Sequence, residues 1–291
     1  MGTLMKFEMH KLKKQKSFYI CTLIMVALLF LSAMTTNALV NGSPEFAAQF
    51  SGSGIDSMIG ALGNCSFLLI AGIFTALTVC EDYEQQTVKN IFSRGYSRGS
   101  VYTAKLMIVW IATSVMFLIA EFAALISGSL YFGIGETENL RFLAVLGVQY
   151  VVAMANVAMF FAISSVLRKN GSSIAATIVA PMLVNVVLSL ADSLLKLKNV
   201  SLTNYWLSSF LGDLTLSVGS GRMTVCLVAS LIYIPVFVFF GITVNKKQNY
   251  KGGKISEKMV QNIIDDCICS AYADWYFQCA FRRKSNRCCN R

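Results

Sequence analysis

The chain has 291 residues, of which 55% are hydrophobic and 14% charged, with 25 Lys and Arg against 15 Asp and Glu, a formal +10. Soluble proteins carry roughly a quarter charged residues, and a chain of this length buries too little surface on folding to hide so much apolar area. That excludes a secreted disulfide scaffold, a disordered chain and an ordinary cytosolic enzyme, and leaves a polytopic all-α membrane protein.

The leader carries Lys6, Lys11, Lys13, Lys14 and Lys16, interleaved with Met5, Met9 and Leu12 at i, i+4, i+7. This suits an amphipathic N-terminal helix in the inner headgroup layer, or a solvated basic leader that only fixes topology. Six segments are then apolar enough to cross a bilayer: 18–39, 58–80, 102–127, 142–167, 172–194 and 223–244. With both ends placed inside, 21 basic residues fall inside and 4 outside, the sidedness of the positive-inside rule. The positive charge therefore reads as topological, and no nucleic-acid partner is expected. A cleaved signal peptide is the competing reading of the start; its apolar run is longer than a usual signal core, and removing it would break this parity.

The most specific stretch is the loop after the second span, 81–98. Glu81, Asp82 and Glu84 open it, and Arg94 and Arg98 close it, an order that suits the dipole of a short helix. Val88, Ile91 and Phe92 give that helix a small apolar face at i, i+3, i+4, and Gly95 sits where it would stop. The pattern predicts a cytoplasmic helix with an exposed apolar patch, shaped for a partner's groove.

A basic leader ending in Lys-Ser-Phe-Tyr, followed by Thr-Val-Lys-Asn, Ser-Arg-Gly and Ser-Arg after the second span, resembles ABC-2 type permeases. These are the membrane subunits of ATP-binding cassette exporters, and the similarity is greatest to the bacterial group associated with antimicrobial-peptide resistance and immunity. The resemblance covers about residues 1–247, with its specific part at 81–105; Gln86 departs from it, standing where a Gly is expected before Thr87. It implies that the loop is a coupling helix docking on an ATPase, with Glu81, Glu84, Thr87, Lys89, Arg94, Gly95 and Arg98 as coupling residues. It also implies a separate cytoplasmic ABC ATPase dimer binding ATP and Mg, a second permease copy or related permease, and a bacterial plasma membrane with both termini cytoplasmic.

Within the spans, Glu121 is an ionisable group where such groups are costly, so it serves a wet pathway or locks helices as a neutral or paired carboxyl. Gln149 and Asn156 are seven apart on one face of the fourth span, and Asn185 follows Pro181 in the fifth. These four are the residues expected along a translocation pathway, although amides more often glue helices together. Pro235 is expected to break the sixth span, and Gly128, Gly133 and Gly135 to end the third. In the longest outer loop, Tyr205, Trp206, Leu207, Phe210 and Leu211 form a cluster that lies at the interface or re-enters the membrane.

No enzyme constellation or Walker A sequence is present, so no cofactor is expected in this chain and ATP hydrolysis falls to the partner. The single histidine, His10, excludes a His-based metal site inside the membrane, and no metal is expected. Residues 248–291 form a basic, Cys-rich tail whose five cysteines have no familiar zinc spacing. A tail resting on anionic lipid is preferred for it, with a frameshift or cloning scar as the other reading. Two functions of other classes stay open: an ion-coupled carrier or channel using Glu121, and a membrane immunity protein that transports nothing.

Overall fold

A computed structural model describes residues 2–42, 53–63, 66–84, 95, 97–135, 139–195, 202–215 and 218–247. Among the described residues there are nine α-helices, one 3-10 turn and no strand. The helices are α1 (Gly2–Lys14), α2 (Lys16–Gly42), α3 (Gly54–Gly63), α4 (Ser66–Glu84), α5 (Arg98–Phe132), α6 (Asn139–Leu167), α7 (Asn170–Leu195), α8 (Leu207–Asp213) and α9 (Ser220–Lys247). The 3-10 turn, Leu202–Tyr205, precedes α8. The tail 248–291 lies outside the described residues.

Five helices are long and apolar enough to cross a membrane: α2, α5, α6, α7 and α9. The expected second span, 58–80, is instead divided between α3 and α4. The apolar part of α4 is short because its last turn is Glu81, Asp82, Tyr83 and Glu84. The division follows from packing. Gly54 donates its N–H to the Gly133 carbonyl at 2.7 Å, and a Cβ on Gly128 would lie 2.6 Å from the Ser57 Cβ. Small residues thus let α3 lie directly against the far end of α5, while α4 turns into the centre of the bundle.

α5 is 35 residues long, about 52 Å at 1.5 Å per residue, so it exceeds the ~30 Å hydrocarbon core at both ends. It starts where the Ser97 side chain accepts from the Ser100 N–H, leaving fewer unpaired donors in the first turn. It stops at Gly133, whose φ of +77° favours glycine. Gly128 therefore lies inside α5 and serves close packing, while Gly133 and Gly135 make the turn. Pro235 does not break the last span: α9 runs through it, and α7 likewise through Pro181. Membrane helices accommodate the carbonyl that a proline frees through neighbouring helices, Ser or Thr side chains, water or a local adjustment of the helix.

The core lies between α4, α5 and α6, where Phe67, Phe74, Phe117 and Phe161 are fully buried. Phe117 meets Phe67 at 5.9 Å and Tyr150 at 5.4 Å, both edge to face, a favoured aromatic geometry. By contrast, α7 exposes Met182, Leu183, Val186, Val187 and Leu190. An exposed apolar face of that length suits lipid better than water. Cys21, Cys80 and Cys226 are buried free thiols.

α1 forms as expected, but its apolar face is spent on protein. Leu4 packs with Val101 and Ala104 of α5, and Leu12 joins the central core. Met5 and Met9 are only half-buried, so the buried stripe is turned by one residue from the predicted one.

Candidate functional site

One end of the bundle gathers a cluster of charged groups around the last turn of α4. The start of α2, the end of α4, the start of α5, the link between α6 and α7, and the end of α9 all meet there. The last turn of α4 is its hub. Consecutive helical residues point about 100° apart, so four adjacent side chains reach four different neighbours. The Gln15 amide donates to Glu81 at 2.8 Å. Asp82 receives Lys11 of α1 and Lys105 of α5. Tyr83 lies under the Arg168 guanidinium at 5.0 Å and the Lys105 ammonium at 5.8 Å. Glu84 accepts the backbone N–H of Asn170 at 2.9 Å and its side-chain amide at 2.5 Å, at the start of α7.

The electrostatics explain the arrangement. Carboxylates at a helix C-terminus are disfavoured by the dipole, so each must find a donor or cation elsewhere. Burial pushes the Asp82 carboxyl up, but the charge and hydrogen bonds of Lys105 and Lys11 outweigh it and hold it below the usual range. Glu8 of α1 is buried beside them, and desolvation raises its carboxyl above the ordinary value despite Lys105 and Lys11. Arg168 adopts φ +58°, a left-handed conformation costly for a residue with a Cβ. It is held there by its N–H on the Ser164 carbonyl at 3.1 Å and its guanidinium on Asn245 of α9 at 3.0 Å.

This corrects one expectation. The three carboxylates do not begin a separate helix; they end α4. Of the other expected coupling residues, Gly95 lies in a turn with φ +84°, and Arg98 opens α5. Thr87, Lys89 and Arg94, with the expected helix itself, lie outside the described residues. Sequence reading passed over Asp82, Tyr83, Lys11, Lys105 and Asn170 as site residues. The available signal was a run of acids ending an apolar helix; their partners lie 23 to 86 residues away in the chain.

The opposite end is closed by short elements. Leu207, Phe210 and Leu211 of α8 are buried, so this stretch re-enters the bundle. Asp192 accepts the N–H groups of Leu202 at 2.7 Å and Thr203 at 3.1 Å. Arg222 of α9 binds Asp213 at 2.5 Å and the Asn204 carbonyl at 2.6 Å. Gln149, ten residues into α6 and so about 15 Å from its start, donates to the Ile59 carbonyl at 3.0 Å and the Leu214 carbonyl at 3.2 Å. One amide thereby ties both α3 and the re-entrant stretch.

The four expected pathway residues do not form one hydrogen-bonded cluster. Glu121 is 1% exposed, and neither carboxylate oxygen has a partner. Asn156 bonds back to Val152 of its own helix at 3.0 Å. Asn185 accepts from Ser209 of α8 at 3.4 Å. No metal-ligating cluster occurs among the described residues.

Residues 4–192 match the family model described as ABC-2 family transporter protein. The chain belongs to that family. This ABC-2 protein is accordingly a multi-pass membrane protein and a permease subunit of an ABC transporter, a family that works with an ATPase partner. No curated protein matches the ABC-2 chain. The matched stretch begins within α1, includes the α4 hub and the start of α5, and ends within α7.

Because two hydrogen bonds of about 0.5–1.5 kcal/mol each are lost, Gln149→Leu is expected to loosen α3 and the re-entrant stretch together. Labelling of the buried Cys226 thiol by a membrane-impermeant maleimide should then accelerate about tenfold. An unchanged rate would show that Gln149 does not hold the closure.

Proposed function

We propose that this chain is the permease subunit of an ATP-driven exporter in a bacterial plasma membrane, moving an amphipathic peptide or antibiotic-like compound outward. The supporting observation is the last turn of α4, whose four side chains grip α1, α5, α7 and the α6–α7 link immediately before segment 85–96. A cytoplasmic ABC ATPase dimer, which binds ATP and Mg, docks on that segment, with Glu81, Glu84, Thr87, Lys89, Arg94, Gly95 and Arg98 carrying the coupling. A second permease copy, or a related permease, completes the pathway near Glu121, Gln149, Asn156 and Asn185. A pull on the segment is passed by the α4 hub to three helices at once, which a loop tethered at a single point would not do.

The topology in this reading has six crossings and both termini cytoplasmic, with α3 and α4 sharing the second crossing. Residues 1–247 form the permease domain, and the basic Cys-rich tail 248–291 rests on anionic lipid.

The test is affinity purification of the detergent-solubilised chain from its native host, with ATPase activity assayed on the eluate. Co-purifying activity is expected. Glu84→Gln weakens the cap on α7 and should reduce cargo-stimulated ATPase activity severalfold while leaving membrane insertion intact. An ATP-inert eluate would favour an ion-coupled carrier instead, a reading that the unpartnered Glu121 supports.

A further inference from the structure

Two buried side chains in the outer half of the bundle, Glu121 and Gln149, hold acceptors without a donor. Glu121 presents two carboxylate oxygens with no donor, and no cation among the described residues reaches it. Gln149 spends its amide N–H groups on Ile59 and Leu214, which leaves its Oε1 unpartnered as well. Unsatisfied acceptors in a low-dielectric interior are costly, and the partner chemistry they call for is a hydrogen-bond donor, best one with positive charge.

Packing contacts fix where these groups lie. Glu121 stands on α5 between Gly128, which abuts Ser57 of α3, and Phe117, which meets Phe67 of α4. It therefore faces the level at which α3 gives way to α4. On the α6 side, Phe117 and Ser114 both meet Tyr150, the latter at 2.8 Å, and Gln149 is the residue before Tyr150. Glu121 follows Phe117 by one turn, and Gln149 holds the carbonyl of Ile59, which clusters with Leu125, one turn beyond Glu121. The carboxylate and the amide thus lie within about a turn of each other along the bundle, next to the rings of Phe67, Phe117 and Tyr150. Aromatic faces beside a carboxylate attract organic cations with apolar substituents.

We propose that Glu121 and Gln149 Oε1 form a subsite for the ammonium or guanidinium group of an amphipathic organic cation in transit, walled by Phe67, Phe117 and Tyr150. The proposal rests on the permease reading and names its cargo class. It also connects the subsite to the outer closure. A donor on Gln149 Oε1 polarises the same amide that holds Ile59 and Leu214, so occupancy tightens α3 and the re-entrant stretch around the bound group.

Dicyclohexylcarbodiimide tests this on the full chain in detergent. It adds across the O–H of a protonated buried carboxyl to give an O-acylisourea, which rearranges to a stable N-acylurea, and mass spectrometry reads the modification at Glu121; Glu121→Gln is the control. Dodecylammonium chloride is expected to slow the modification about tenfold at saturation, while dodecanol and sodium chloride leave the rate unchanged. Equal protection by dodecanol, or none by dodecylammonium, would overturn the subsite. Protection by sodium chloride would overturn it in favour of an inorganic cation site. Should Glu121 resist the reagent, thermal protection by the same three compounds is compared between wild type and Glu121→Gln. An ammonium-specific shift lost in the variant supports the subsite, and an equal shift in both overturns it. Failure here with a co-purifying ATPase discards the subsite alone; an ATP-inert chain that still shows protection discards the permease reading alone.

Discussion

Replacing Asp82 with Asn is expected to destabilise the protein by about 3–5 kcal/mol, the range for removing one partner of a buried ion pair. The neutral amide would leave Lys105, 6% exposed, without its counter-charge and would release Lys11 of the leader helix. Thermal unfolding in detergent measures the loss. A double variant that also carries Lys105→Met should recover part of it, since it removes the buried ammonium left without a counter-charge. An unchanged midpoint in the single variant would mean that the cluster is solvated and contributes little. The pH dependence follows from the sign of the shift. The carboxyl is held below its ordinary value of 3.8 in the folded state. Its contribution is therefore complete above that value and is lost as pH falls through the lower folded value.

Gly241→Ala is the second large effect, and its sign is the test. Alanine in place of a helical glycine ordinarily stabilises by about 0.5–1 kcal/mol. At this position the new Cβ would strike the Tyr102 hydroxyl and lie 2.6 Å from Cζ of the same ring. The ring has little room to yield, because its face is held by Phe161 at 4.9 Å. Overpacking should therefore dominate, with a net destabilisation of about 1–3 kcal/mol. In the Gly241→Ala background, Tyr102→Phe should recover part of the loss and Tyr102→Leu more, because the first removes only the hydroxyl. A stabilised Gly241→Ala would show that α5 and α9 stand further apart than this contact implies.

Much of this architecture is legible in the sequence. Apolar runs with few prolines and flanking bases fix five long helices to within a few residues, because a helix buried in an apolar medium satisfies every backbone group internally. The exception is instructive. Residues 58–80 read as one span by hydropathy, but hydropathy carries no information about Gly128 and Ser57, whose small size lets α3 lie against α5. The acids at 81–84 show the same limit. As a local pattern they suit a helix start. Only the tertiary partners Lys11, Lys105 and Asn170 make them tolerable at a helix end. Glu121 was visible as an ionisable group in an apolar run, whereas the two carbonyls held by Gln149 could not be inferred, since carbonyls are common to all residues.

The link between α6 and α7 is two residues, Arg168 and Lys169, one of them in a left-handed conformation pinned to α9 and stacked on Tyr83. A connection so short has no slack to absorb relative sliding of its helices. The two helix ends it joins are therefore expected to move together, as one lever. A reporter or epitope spliced into this link would lengthen the lever's elbow and sever Arg168 from Asn245, so the site would map as intolerant of insertion although it lies at the surface of the bundle.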